Sequence, residues 1–172
     1  MQITHLSRGV ITLASNGGCV DTDMGMAVIR TQIAALSALA VKAGIIEGTT
    51  AKDGTNIAEY AAYNEYGVPG KKKKWDIPPR PFIRGWVENH AAEINAAHER
   101  FFKQVAEGKL SAEQAMNRLG QFAESGIRKY IKSGNFEPNA DSTIKRKGSS
   151  RPLIETGAMR NSVRYKVVGG NK

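Results

Sequence analysis

The residues that could support catalysis or metal binding are few and widely separated. His90 and His98 lie about two turns apart on a predicted helix, so one metal ion would need a third ligand from elsewhere in the chain. Cys19 follows two glycines, but no histidine is near it in sequence, and a small buried thiol is its expected role. We therefore predict no catalytic residue, no metal site and no cofactor, and a protein that is not an enzyme.

Two further patterns partly match catalytic motifs. Residues 147–149 (KGS) match the end of a phosphate-binding loop, but the earlier glycine and a preceding apolar strand are missing, and Pro152 prevents an immediate helix. The carboxylates of Glu59, Glu65 and Asp76 lie close together in sequence without a second polar group that would complete an acid–base site. Salt bridges or helix-end charges are their predicted roles.

Positive charge is the dominant chemical feature. The chain of 172 residues has a formal net charge of +9. Residues 71–74 are four lysines followed by a tryptophan, and residues 143–172 contain eight basic residues and one acidic residue. Such groups neutralise phosphates and bind DNA without sequence preference, and no helix-turn-helix or zinc-finger pattern is present. An acidic protein surface, lipid headgroups or simple solubility explain the charge equally well.

We expect partner or DNA contacts at the residues of these two basic regions. They are Lys71, Lys72, Lys73, Lys74, Trp75, Lys145, Arg146, Lys147, Arg151, Arg160 and Arg164.

The length suits a single domain with one substantial core. Residues 1–23 form an N-terminal segment that could be an arm, although residues 9–14 suit a short strand. Residues 24–134 hold the helices and central strands, with a basic loop at 68–77, and residues 135–172 form a basic arm and a C-terminal strand. The β-branched residues at 41–47 and the alternation at 163–168 predict two strands. The predicted fold class is α+β, a small antiparallel sheet packed against a few amphipathic helices, with extended loops and arms.

Four helices are predicted from apolar spacing and capping residues. The first has a core-facing stripe from Met26 to Ala40 and a cap at Asp21 or Asp23. The second, residues 57–66, has Asn56 as its cap and three tyrosines on one side, of which at least two should be buried. The third covers 83–108 without a break, and the fourth, residues 111–134, starts with a Ser111–Gln114 capping box and packs antiparallel to the third.

Three blocks of sequence resemble one protein family. They are VKAGI at residues 41–45, YAAYNEYG at 60–67 with PPRPF at 78–82, and STIKRKGSSRPLIETGAMRNSVRYKV at 142–167. In order and spacing they resemble the tail-completion or neck proteins of tailed bacteriophages, and are similar to minor tail protein Z-like proteins. The lysine run is longer and more basic than the insertion expected there, and residues 1–24 carry no part of the resemblance.

The resemblance implies a structural virion protein that joins the DNA-filled head to the tail. It implies a homo-oligomeric ring, most simply a hexamer, located in the virion neck and assembled in the host cytoplasm. The implied partners are a head–tail connector or portal-adjacent protein, a tail terminator or tail tube protein, and the genomic DNA passing through the lumen. No membrane partner is expected, since no run of about 18 apolar residues exists. The alternative is a small basic protein that binds DNA without sequence preference.

Overall fold

The computed structural model describes residues 10–13, 19–22, 25–46, 50, 54, 56–70 and 75–169. The four lysines at 71–74 lie outside these residues. The described residues have an α+β fold, which confirms the predicted class. The elements in chain order are β1 (Val10–Leu13), β2 (Cys19–Thr22), α1 (Met26–Ser37), β3 (Leu39–Ile45), α2 (Ile57–Tyr66), β4 (Val68–Pro69), β5 (Trp75–Ile77), α3 (Arg84–Asn89), α4 (Ala91–Ala106), α5 (Ala112–Ser133), α6 (Asp141–Lys147), α7 (Ala158–Asn161) and β6 (Val163–Gly169).

The central sheet consists of β3 and β6, which pair antiparallel from Leu39↔Gly169 to Ile45↔Val163. Both strands were predicted, and β3 starts two residues earlier than expected. The strands β1 and β2 form a separate antiparallel pair, as do β4 and β5. The strand β2 was not predicted.

The helices α4 and α5 form the predicted pair, and α5 lies against the central sheet. Ser111 and Gln114 make the predicted capping box at the start of α5. Phe101 and Val105 of α4 pack with Ala115 and Leu119 of α5 in one buried cluster. The short connection between the two helices therefore gives the geometry expected from the sequence.

The third predicted helix is wrong in one respect, because α3 and α4 are separate. His90 between them has φ −121° and ψ 22°, outside the helical range, and its Nδ1 lies 3.0 Å from the Trp86 carbonyl oxygen. The break directs α3 so that Trp86 is buried against α5. There Gly126 makes room for the indole, since a Cβ at this position would lie 2.5 Å from the ring.

The prediction that α1 faces the core is only partly right, since Leu36 packs against the buried cluster of α4 and α5 but Ile33 of the same stripe is exposed. Its N-cap is Gly25, without a side-chain bond, in place of Asp21 or Asp23, and none of its residues is buried. Met26 is 51% exposed. The middle of the helix is tied to α5, where Gln32 Oε1 accepts a hydrogen bond of 2.8 Å from the Ala112 amide. Residue 40, the last of the predicted stripe, belongs to β3.

The tyrosines of α2 do not form a buried aromatic face. Tyr63 and Tyr66 are exposed, and only Tyr60 packs against the core. The core side of the helix is formed by Ile57 and Ala61, together with the buried polar residues Asn64 and Glu65. Exposed polar partners hold the outer tyrosines, since the Tyr63 hydroxyl donates to Glu59 and the Arg84 guanidinium lies 4.9 Å from the Tyr66 ring centroid.

Candidate interaction surfaces

The buried carboxylate of Glu65 connects α2 to the start of α3. Its side chain accepts hydrogen bonds from the backbone N–H groups of Ile83 and Arg84, both at 3.0 Å. The Arg84 Nε donates to the same carboxylate at 3.1 Å. These amides have no intrahelical partner at a helix start, and the carboxylate satisfies them. The predicted helix-end role of this residue is confirmed.

A buried arginine fixes the chain after α5. The guanidinium of Arg80 donates from Nε to the Glu137 carbonyl at 2.7 Å and from Nη2 to the Pro138 carbonyl at 2.9 Å. Its backbone N–H donates to the Asn64 carbonyl at 2.6 Å. Burial lowers the pKa of Arg80, but a guanidinium stays charged at neutral pH. Arg80 therefore joins the end of α2 to the start of the basic C-terminal region.

The predicted extended arm at residues 133–152 is instead a closed, packed loop that contains α6. Asn139 is buried, and its Nδ2 donates to the Arg151 carbonyl at 3.1 Å. This bond brings the two ends of the loop together, so that α6 lies between them. The expectation failed because the two polar anchors, Arg80 and Asn139, act across the chain and leave no local pattern.

The loop presents part of the predicted basic surface. Lys145 and Arg146 are exposed on α6, and Arg151 is exposed at the end of the loop. Lys147 ends the helix at Gly148, which has a positive φ of 65°. Lys145, Arg146 and Arg151 therefore lie on one loop, which the buried Arg80 and Asn139 hold at its ends.

The other two predicted basic residues lie near the start of β6. The Arg160 guanidinium donates to the Asn161 side-chain oxygen at 3.1 and 3.2 Å. Arg164 is exposed and donates to the backbone carbonyls of Asn161 and Val163. The structure thus brings these two arginines together around Asn161, on a separate element from α6.

The predicted loop at residues 68–77 begins and ends in paired strands. Val68 pairs with Ile77, and Pro69 pairs with Trp75. The base is compact at Gly67, where φ is 77° and an added Cβ would lie 3.0 Å from the Ile77 carbonyl oxygen. The lysines at 71–74 join these two strands, so their attachment points are fixed by β4 and β5.

A further basic row was missed by sequence reasoning. Lys42 of β3 is directly opposite Lys166 of β6, and Gly44 is opposite Arg164. All three basic residues are exposed. The alternation predicts Lys42 on the outer face of β3 and Arg164 and Lys166 on the outer face of β6, but only the pairing register places them side by side.

An apolar groove of about 390 Å³ lies between β3 and the helices α3 and α4, over α5. Trp86, Ile94 and Phe102 are among its lining residues. Val87 also lines it and is 47% exposed. An exposed apolar groove of this kind is typical of a binding surface.

The two histidines of the third predicted helix, His90 and His98, lie beside aromatic side chains. The ring of His90 lies 6.1 Å from the Trp86 ring and 5.6 Å from the Tyr130 ring, centroid to centroid. His98 is exposed and lines the groove beside Phe102. Across the described ranges, no group of three or more His, Cys, Asp or Glu residues could hold a metal ion. In the same residues no helix is long and apolar enough to cross a membrane.

Comparison with protein-family models, curated proteins and solved structures found no match to this chain.

Proposed function

We propose that this protein is a structural, non-enzymatic component of a bacteriophage neck. Several copies, six by the family resemblance, form a ring that docks on the head–tail connector and receives the tail terminator or tail tube. The genomic DNA passes through the lumen. The protein acts in the virion and assembles in the host cytoplasm.

One observation supports this proposal above the others: the three blocks that carry the resemblance form one structural unit. The block at 41–45 lies in β3, which pairs with β6 of the last block. A single buried cluster contains Ala61 and Phe82 of the middle block together with Met159 and Val163 of the last block. Segments far apart in sequence thus share one core, as expected if they resemble one family for a common structural reason.

The basic surfaces fit the lumen or an acidic neighbour. In a symmetric ring, each exposed cation is repeated around one axis, and its field in the lumen grows with the number of copies. The lysines at 71–74 connect the paired strands β4 and β5 in sequence, and α6 presents Lys145 and Arg146 to solvent. Both are suited to contact phosphates without sequence preference.

The first test changes the four lysines at 71–74 to glutamate. The fold should be retained, because the described pairing of β4 with β5 does not use these residues, and joining of heads to tails should be blocked. The matched control makes the same charge change at exposed helix positions, Arg30, Lys103, Lys129 and Lys132. Normal particle yield from the loop variant would refute the proposed role.

The second candidate function is DNA binding by a monomer or dimer, favoured by the exposed cations of α6 and of the central sheet. Light scattering distinguishes the two functions, since a ring would support the role as a neck protein. A stable monomer or dimer would support DNA binding. In the second case, Lys145→Gln with Arg146→Gln should reduce the slope of log affinity against log salt by about 1.8, from about 0.9 for each lost phosphate contact.

A further inference from the structure

Within the described part of the chain, the outer edge of β3 carries backbone groups without a hydrogen-bond partner. The Tyr165 N–H donates to Glu124 Oε2 on α5 at 3.1 Å, so Tyr165 directs its backbone groups away from β3. Its partner Ala43 is therefore in a non-hydrogen-bonded pair and directs its own N–H and C=O to the opposite edge. Leu39 and Val41 share this orientation by the two-residue period. Among the described residues, none hydrogen-bonds to these groups.

The outer edge of β6, in contrast, is covered by α5. Glu124 accepts from the Tyr165 amide, and the Arg128 Nη2 donates to the Val163 carbonyl at 2.8 Å. Glu124 and Arg128 also form an ion pair at 2.8 Å. The two side chains take the place of a neighbouring strand, so the sheet offers its β3 edge for extension.

The apolar groove runs along this open edge. Leu39, Val41 and Ala43 line one side of it, and α3 and α4 line the other. A strand added to β3 would bond to the free backbone groups and place alternate side chains in the groove. The site therefore has both parts of a strand-addition site, an open edge and an adjoining apolar pocket.

We infer that the β1–β2 hairpin of a second copy of this chain docks on the open edge of β3. The two strands form a sheet of their own, not bonded to β3 or β6. An isolated two-stranded hairpin is at best marginally stable in water and gains stability from a third strand. Docking would join the two pairs into one four-stranded sheet.

Charge supports the same occupant. Lys42 and Lys166 lie directly opposite each other, and like charges in this position repel. The strands β3 and β6 contain no acidic residue, whereas β2 contains Asp21. A neighbouring β2 would bring a carboxylate to the basic sheet, and the remaining residues of β1 and β2 are uncharged.

Exchange of the β1–β2 hairpin between copies would join them into an assembly while each copy keeps its fold. In one chain, sixteen residues lie between β2 and β3, and twelve of them form α1, about 18 Å of helix. If each copy gives its hairpin to the next and receives one, the contact is heterologous and forms a ring when the rotation closes. The ring rests on the proposed function, while the docking itself does not.

The first test places a charge in the groove. Val87→Glu should raise the protein concentration needed for assembly at least tenfold, measured by light scattering. The control is Ala96→Glu, which lies on an exposed face of α4 away from the groove-lining Ile94 and should assemble like the unchanged protein. Unchanged assembly of Val87→Glu would overturn the inference and leave the neck function standing. Loss of assembly with normal head–tail joining would support the docking and refute the neck function.

The second test detects the exchange between copies directly. Protein with its natural Cys19 is mixed with a size-tagged Lys42→Cys, Cys19→Ser variant, and a short bismaleimide is added. We expect a cross-linked species containing one copy of each. The control carries Lys132→Cys, at an exposed position of α5, together with Cys19→Ser. It should not cross-link to Cys19. Absence of this species, together with cross-linking within single chains of a separate Lys42→Cys variant that keeps Cys19, would overturn the inference.

Discussion

Replacing Glu65 with glutamine tests how the central segment is held together. The carboxylate is 4% exposed and accepts three hydrogen bonds, two from backbone N–H groups at the start of α3 and one from the Arg84 side chain. Glutamine has almost the same shape, but one oxygen becomes an NH₂ group that only donates. One N–H at the start of α3 would then face another donor.

The expected loss of stability follows from these contacts. A buried N–H left without an acceptor costs about 1–3 kcal/mol. Removing the negative charge from the helix start costs about 0.3–1 kcal/mol. The lost ion pair adds about 0–1 kcal/mol, because the Arg84 side chain is half exposed. The free energy of unfolding should therefore fall by about 3 kcal/mol.

The assay is equilibrium urea unfolding. With a slope of about 2 kcal/mol per molar urea, the unfolding midpoint should fall by about 1.5 M. Glu59→Gln is the matched control, since Glu59 is exposed on the same helix, and its effect should be about 0.5 kcal/mol or less. An effect of Glu65→Gln equal to that of the control would refute the structural role of this carboxylate.

Three further variants probe the core, the C-terminal loop and the surface charges. Gly126→Ala would place a methyl group 2.5 Å from the buried Trp86 ring, and urea unfolding should show a loss of about 1–3 kcal/mol; an equal or higher stability would contradict this packing. Arg80→Lys keeps the charge but not the fork that binds two carbonyls, so trypsin should cleave within α6 several-fold faster, and unchanged cleavage would count against the anchor. The Lys109 ammonium lowers the pKa of Glu107 below its usual 4.5, so the pKa is lower in the folded than in the unfolded protein. The ion pair therefore stabilises the fold fully at pH values above the unfolded pKa. At pH 7 the melting temperature of Glu107→Gln should therefore lie below that of the unchanged protein, and this difference should disappear as the pH falls through the pKa of Glu107 in the folded protein. A difference in melting temperature that stays constant with pH would refute the linkage.

Local signals in the sequence were sufficient for several elements. The Ser111–Gln114 box and the Asn56 cap act within one helical turn, so residue type and spacing predict them directly. The alternation after Val163 predicts β6 for the same reason, since a strand with one exposed face repeats every two residues.

Long-range contacts decided the features that the sequence did not predict. The apolar spacing of α1 is compatible with burial, yet no residue of the helix is fully buried, although Leu36 packs against the cluster of α4 and α5. The loop around α6 has the composition of an arm, yet Arg80 and Asn139 hold it closed through backbone carbonyls far away in sequence. Any arginine or asparagine has these donors, so residue type alone does not show which one is buried.

The fold class, the two central strands, the helix pair and the excess of positive charge could all be predicted from the sequence. These follow from periodicity, capping and composition, which are properties of short segments or of the whole chain. The pairing of Lys42 with Lys166, the contact of α5 with the edge of β6 and the edge of β3 that no described residue covers, beside a groove, emerge from the folded chain. Strand register and edge coverage depend on which distant segments meet, and a period of two residues is the same for a covered strand and an open one.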